Sequence, residues 1–388
     1  MCKWNNSSEV EGMDINMQRE LLIKSMDYFV GQLDKLMEDM GKTGVPGCQS
    51  KDYVYVADGG NDWTDGFFAG EMNLAYEYTG NEKYKLAALN QVEILKNRIK
   101  KKFAVDHHDM GFLYSPSCTA AYDLYDNEDA KQAAIMAADN LLLRYREKGQ
   151  FLQAWGPVDD NPENYRFIID CLINLPLLYR VSDLTGDTKY KDIAEKHFRT
   201  ASKYVVREDF STNHTYYFNI EDGSPIKGVT VQGYADDSMW ARGQAWAIYG
   251  MALNYRYLKD DSILEIYDGV TKAYIEHLPK DNVPFWDMVF RDGDDQPRDT
   301  SSAAIAVCGI LEMEKYHSNE TFRKKAEEVL ESLLTKYTTE KLPYSNGFLT
   351  DSMFNRNAGH KPECSTWGDY YVMEAVYRML NPNWKIYW

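Results

Sequence analysis

The chain has 388 residues and a net charge of −17, with 44% hydrophobic and 14% aromatic residues. That balance excludes a basic footprint for nucleic acid and adsorption to an anionic membrane surface, and no apolar run reaches membrane-spanning length. The 6 cysteines include no CxxC pair. Several lie in apolar runs and read as inert core thiols, so neither a disulfide framework nor a metal site is expected.

The chain opens on Met1 and Cys2 followed by the polar run "KWNNSSEV". A bacterial lipoprotein trimmed to its acceptor cysteine has this form, and so does an ordinary cytoplasmic start. The expected location is therefore the periplasm, with a lipid anchor on Cys2, or the cytoplasm, and residues 1–12 are expected to be flexible. Helical patterns then alternate. Amphipathic segments at 14–40, 83–101, 129–147, 188–206, 261–278 and 320–337 precede apolar helices that begin near Trp63, Asp109, Ile168, Trp240, Ser301 and Trp367. Short polar turns join them, written "YTGNEKY" at 78–84 and "LTGDTKY" at 184–190, with looser versions at 125–130, 258–263 and 316–322. The apolar helices recur every 45 to 70 residues or so, a period that marks an array or a closed ring. A helix apolar on all sides must be enclosed, whereas an amphipathic one faces water. Six of each predict an all-α (α/α)6 barrel, formed as one domain over 1–388. An open superhelix of helix pairs is the alternative, and the count of six favours closure.

In such a barrel the loops entering the inner helices share one end. Those loops read "GGNDWTDGF" (59–67), "DHHDMGF" (106–112), "GPVDDNPENYRFIID" (156–170), "YADDSMWARGQAW" (234–246), "RDGDDQPRDTSSA" (291–303) and "ECSTWGDYY" (363–371). Their wealth of Asp, Trp, His and Arg, against plain turns at the other end, places a site at the loop-rich mouth. "MGKTG" at 40–44 lacks the first glycine of a phosphate loop, since Leu36 occupies that position. His107, His108 and Asp109 have no second cluster at ligand spacing, so no metal is expected. "NHT" at 213–215 matches a glycosylation sequon by pattern alone.

Asp109 and Asp170 are the candidate catalytic residues. Asp109 stands where a helix N-cap would also be satisfied by aspartate. Asp170 follows Phe167, Ile168 and Ile169 in what reads as a buried helix. Burial raises a carboxyl pKa, and a second carboxylate raises it further. Such a group stays protonated near neutral pH, as a general acid must, and paired carboxylates are the usual apparatus for cleaving glycosidic links. Trp240, Arg242 and Trp246 fall on one side of a helical pattern. An arginine between two indoles suits a planar carboxylate beside a sugar ring, and Trp63 reads as a second sugar platform.

The stretches "WTDGFFAG", "HHDMGFLYSPSC", "IIDCLINLPLLY", "STNHTYYFN", "QGYADDSMWARGQAWAIYG", "VPFWDM", "RDTSSAAIAVCGILEM" and "WGDYYVMEA", spread over residues 63 to 375, resemble the unsaturated glucuronyl hydrolases, glycoside hydrolase family 88. The resemblance implies the (α/α)6 fold and an exo-acting bacterial enzyme without cofactor. It also implies a substrate, an oligosaccharide from a polysaccharide lyase that carries a 4,5-unsaturated uronic acid at its non-reducing end. The chemistry would be hydration of the vinyl ether. By the same resemblance Asp170 is the acid/base and Asp109 the second essential aspartate. His214, Gln232 and Arg242 surround the substrate carboxylate and the attacking water. Trp63, Trp240 and Trp246 are aromatic walls, His108 is a polar neighbour of Asp109, and Tyr370 lines the cleft. Relatives that accept sulfated disaccharides carry Ser-x-x-Ser-x-Lys before the last inner helix. Here Asn355, Ala358 and His360 align with those positions, which leaves sulfate preference open, although Arg356 and Lys361 are nearby. A monomer or weak homodimer is expected. The weighed alternatives are an unsaturated rhamnogalacturonyl hydrolase acting on pectin fragments, a sugar epimerase on the same barrel, and a non-catalytic carbohydrate-binding helical array.

Overall fold

A computed structural model describes residues 7–388, with side chains from residue 18 onward; Cys2 and the rest of residues 1–6 lie outside them. The outer ring comprises α1 (Ser7–Met40), α3 (Glu82–Lys100), α6 (Glu128–Leu142), α9 (Lys189–Val205), α11 (Ser262–Glu276) and α13 (Glu320–Lys336). The inner ring comprises α2 (Asp65–Thr79), the α4–α5 unit (Met110–Tyr114 and Ala120–Tyr125), the α7–α8 unit (Cys171–Asn174 and Pro176–Thr185), α10 (Ala241–Leu258), α12 (Thr300–Met313) and α14 (Thr366–Leu380). Each inner element packs on the next, and α14 returns to α2, so the ring closes as an (α/α)6 barrel.

Side-chain patterning explains the two rings. Every residue of α12 is buried, as enclosure of a predominantly apolar helix requires. In α13 the buried residues include Phe322, Ala326, Val329, Leu330 and Leu333, a single stripe facing α12 and α14. The TG turns end α2 and α8 with Gly80 and Gly186 in the left-handed region at φ 67° and 73°, the usual way a helix stops.

Three expectations need correction. The third outer helix ends at Leu142 rather than 147, because the chain turns into a hairpin of β3 (Tyr145–Arg146) and β4 (Phe151–Leu152); an earlier ladder pairs β1 (Val45–Pro46) with β2 (Ala57–Asp58). The segment 166–182 is not one helix. Arg166–Ile168 is a strand, β5, which pairs with β6 (Thr215–Phe218), and β6 pairs with β7 (Pro225–Val229). Helix begins only at Cys171 and restarts at Pro176, whose missing N–H breaks the first turn from the rest. Likewise Pro116 lies in a π-helical turn, Ser115–Thr119, that interrupts the second inner helix.

The end opposite the loops is more than a set of turns. The C-terminal tail folds back so that Trp388, 1% exposed, stacks on Tyr371 at 6.0 Å and donates from Nε1 to Glu374 at 2.9 Å. Arg378 lies beside it, bonded to Glu312 at 2.7 Å and Glu374 at 2.9 Å. A buried charge cluster is tolerated when paired in this way. Trp388→Ala is expected to cost about 3–5 kcal/mol, measurable as a lower denaturation midpoint.

Candidate active site

The mouth loops are tied together from the outer ring. Arg98 of α3 donates to Asp65 at 2.5 Å, to the Asp62 carbonyl at 2.9 Å and to the Ala104 carbonyl at 2.7 Å. It thereby joins the Trp63 loop to the loop that carries His107–Asp109. Arg144, just past α6, donates to Asp106 and to the Gln153 and Gly156 carbonyls, joining that loop to the one before Asp170. The His108 N–H donates to the Ala154 carbonyl at 2.8 Å. Buried arginine forks of this kind hold loops rigidly because several donors are fixed by one planar group.

Asp109 and Asp170 each occupy the residue preceding an inner helix, α4 and α7, and neither side chain caps it. The N-cap alternative for Asp109 therefore fails on geometry, and both carboxylates are left for other partners. Asp170 stands between β5 and α7 rather than within a helix. Asn174, one turn on in α7, bridges the two aspartates. Its Nδ2 donates to Asp109 Oδ1 at 3.3 Å and to the Asp170 backbone carbonyl at 3.0 Å, while its Oδ1 accepts from the Phe112 N–H at 2.9 Å. Gly111 permits this approach, since a Cβ there would meet Asn174 Cα at 2.4 Å.

The electrostatic settings of the two acids diverge. Burial, then the charge of Asp109, pushes the Asp170 carboxyl up to about 7, with Arg242 opposing. Its Oδ2 is shut from solvent and has no hydrogen-bond partner among the described residues. Burial would also raise Asp109, but His108, His107 and Asn174 outweigh it and hold that carboxyl below its ordinary range. His107 Nε2 donates to the Ala104 carbonyl at 3.0 Å, and its Nδ1 lies 3.2 Å from Asp109 Oδ2. His108 is 1% exposed, with Nε2 3.2 Å from Asp109 Oδ1 in a geometry that makes no hydrogen bond. Burial lowers its pKa to about 4, so its imidazole is neutral. Environment thus drives the two carboxyls apart, one raised and one lowered, the pattern expected of an acid/base pair.

A second chain of contacts reaches the same place. Arg242 Nη2 donates to Gln232 Oε1 at 2.9 Å, and Gln232 Nε2 lies 3.3 Å from His214 Nε2. With Gln232 oriented by Arg242, His214 Nε2 accepts and Nδ1–H donates to Thr215 Oγ1 at 2.7 Å. Burial, then Arg242, lowers His214 to about 3, so it too is neutral. The β5–β6 ladder sets it beside Asp170, with the Ile169 N–H donating to the His214 carbonyl at 2.9 Å.

The expected arginine between Trp240 and Trp246 is corrected. Arg242 lies between Trp240 at 4.7 Å and Trp367 at 5.2 Å. Its Nη1 donates to Asp299 at 3.2 Å and to the Met353 carbonyl at 2.6 Å, and its Nη2 donates also to the Phe354 carbonyl at 2.6 Å. The guanidinium is thus spoken for except at Nε, and it acts through its charge and its hold on Gln232 more than as an open fork. Trp246 is fully buried against Phe112 and Tyr371, and Trp63 packs with Phe112 and Trp367. Tyr370 does not line the cleft. It is fully buried against Phe67, Tyr371 and Trp388, over Gly70. The next residue, Tyr371, turned by about 100° on the helix, packs on Trp246, and burial, then Glu374, Cys308 and Asp170, raise its phenol pKa.

Asn174, Asp299, Trp367 and Tyr371 were missed as site residues in the sequence. Asn174 did leave a signal, as the only polar side chain in "CLINLPLL", four residues after Asp170. Buried polar atoms without partners gather here: Asp170 Oδ2, both His108 nitrogens, Trp246 Nε1, Trp367 Nε1 and the Tyr371 hydroxyl. Native interiors rarely leave such groups unpaired, and a ligand's hydroxyls would satisfy them.

The pattern of Glycosyl Hydrolase Family 88 matches residues 42–382. The chain is 42% identical over 378 residues to a protein of Streptococcus pneumoniae named unsaturated chondroitin disaccharide hydrolase, covering 96% of this chain and 95% of that one. A protein of the same name from Streptococcus agalactiae is 45% identical over 341 residues, covering 86% and 85%. The crystal structure of an unsaturated glucuronyl hydrolase from Streptococcus agalactiae superposes with a TM-score of 0.93 at 41% identity, covering 95% and 94%. With its fold, its paired aspartates and this similarity over nearly its whole length, the chain belongs to glycoside hydrolase family 88 and is a hydrolase of that family.

Proposed function

We propose that the enzyme removes 4,5-unsaturated glucuronic acid from the non-reducing end of lyase-generated glycosaminoglycan oligosaccharides, with Asp170 as acid/base. The observation that carries this is Asp170 itself, a carboxyl with a pKa near 7 beside an ionised Asp109 and neutral imidazoles. The names of the relatives point the same way.

The C4–C5 double bond of the substrate is a vinyl ether, and its C4 is nucleophilic. Asp170 transfers its proton to C4, and positive charge develops at C5 and the ring oxygen. The resulting carboxylate takes a proton from water as that water bonds to C5, which returns the acid to its starting form. The C5 hemiketal then opens, the ring breaks, and the partner sugar leaves as its C1–O bond is released. Asp109 accepts from ring hydroxyls and stabilises the cationic transition state by its charge, as preorganised groups do. The Arg242–Gln232–His214 chain presents oriented polar groups toward the substrate carboxylate and the water. Trp63, Trp240 and Trp246 form the aromatic surround.

Unsaturated uronides absorb in the near ultraviolet, and hydration removes the chromophore. Incubation with unsaturated chondroitin, hyaluronan and heparin disaccharides is expected to abolish the absorbance of at least one. Persistence of all three signals, with loss of a rhamnogalacturonan product instead, would transfer the assignment to pectin fragments.

A further inference from the structure

A cavity of about 660 Å³ lies not over the Asp170 carboxyl but on the sheet that leads to it. Pockets of about 300–1,000 Å³ are the size that buries a small ligand. Its floor is a row across three strands, Arg166 of β5 opposite Tyr217 of β6 opposite Lys227 of β7. Both cations lie 5.9 Å from the Tyr217 ring. Arg166 is only 9% exposed; its Nη1 donates to the Glu163 carbonyl and, at 3.5 Å, to Asn164 Oδ1, while Nε and Nη2 have no hydrogen-bond partner among the described residues. Glu163 and Asp236 also border the cavity, yet no ion pair joins either to Arg166 or Lys227 among the described residues. In a chain of net charge −17, a guanidinium left without a carboxylate keeps its charge and its free N–H groups open to an anionic ligand.

Its position relates it to the site. Arg166 lies 4.9 Å over the ring of Trp155, which is 39% exposed at the rim and bridges to His107, the neighbour of Asp109. The charge of Arg166 is felt at both His108 and His214. An exo-acting hydrolase holds the terminal sugar at the bottom of its cleft, so the remaining sugars extend toward the mouth, where Trp155 is exposed. We propose that this cavity is a subsite for an anionic group, a carboxylate or a sulfate ester, on a sugar two or more units to the reducing-end side of the unsaturated residue. The inference rests on the hydrolase assignment above and extends it to substrate length. In an alternating uronate polymer, the third sugar carries such a carboxylate.

The test compares unsaturated tetrasaccharides whose third sugar carries a free carboxylate, a carboxylate reduced to an alcohol, or the alcohol with a sulfate ester. The readout is kcat/KM for each relative to the unsaturated disaccharide, measured within each variant by ultraviolet loss, with binding followed in parallel by calorimetry. In the wild type the charged tetrasaccharides should exceed the reduced one by about tenfold, the worth of one charge-assisted hydrogen bond. Arg166→Gln should erase that advantage. Lys227→Ala, an exposed change that leaves the loop held by Arg166 intact, should reduce it by a smaller factor. Carboxylate and sulfate arms tell which anion is preferred. Equal rates and affinities for charged and reduced tetrasaccharides, or an advantage unchanged in both variants, would overturn the subsite. Charge-dependent binding without ultraviolet loss on any substrate would keep the subsite and overturn the proposed activity on unsaturated glucuronides instead.

Discussion

Asp170→Asn is expected to lower turnover of unsaturated disaccharides by about 10³-fold or more, within or beyond the usual share of a positioned general acid, while KM changes little. The amide keeps the shape and some of the polarity of the carboxyl but cannot deliver a proton to carbon. A second, independent consequence concerns stability. The folded state holds Asp170 near 7, above its ordinary value of 3.8. Between those values the folded protein binds a proton that the unfolded chain has released, so wild-type stability falls as pH rises through that window. Asparagine carries no such penalty. The variant should therefore melt at a higher temperature than wild type at pH 8, and the gap should close toward pH 4. A variant that retained most of its rate, or that showed no pH-dependent gain in stability, would remove Asp170 from the acid role.

The second large effect is expected at Asp109. Asp109→Asn should reduce kcat by about 10²–10⁴-fold, the range of groups that act directly in proton-transfer and charge-stabilising steps. It should also move the pH profile. With Asp170 as the proposed acid, its protonated form is the active one, and the wild-type rate is expected to decline as pH rises through about 7. The negative charge of Asp109 is the second contributor to that raised value, after burial. Removing it lets Asp170 ionise more easily, so the residual activity of Asp109→Asn should fall at lower pH than in the wild type. An unmoved alkaline limb would show that the two carboxyls are not coupled. Asn174, which touches both residues, is the connection through which their spacing is kept.

The residues of the site differ in how far they could be read from the chain. Asp109 and Trp63 stood out because charged and indole side chains clustered just before apolar helices, while His108 was assigned through family resemblance. Asp170 stood out as a charge in an apolar run, although its local conformation was misjudged, since a run such as "RFII" fits a buried strand as well as a buried helix. His214, Gln232 and the role of Arg242 came through family resemblance. Composition held no sign that Arg242 would face Trp367 rather than Trp246, because the two indoles belong to helices more than a hundred residues apart. Tyr370 and Tyr371 illustrate the same limit. Both are aromatic and adjacent, and only the rotation of α14 against α2 and α10 decides which of them meets Trp246.

The barrel itself was determined by the one-dimensional pattern. Six enclosed apolar helices alternate with six amphipathic ones, separated by polar turns, and that count favours a closed double ring over an open superhelix. What tertiary structure alone decided is the protonation of the two aspartates and the company each keeps. Those depend on desolvation and on charges brought within a few ångströms from β5, β6, α7 and α10, and burial and through-space Coulomb energy have no counterpart in sequence spacing.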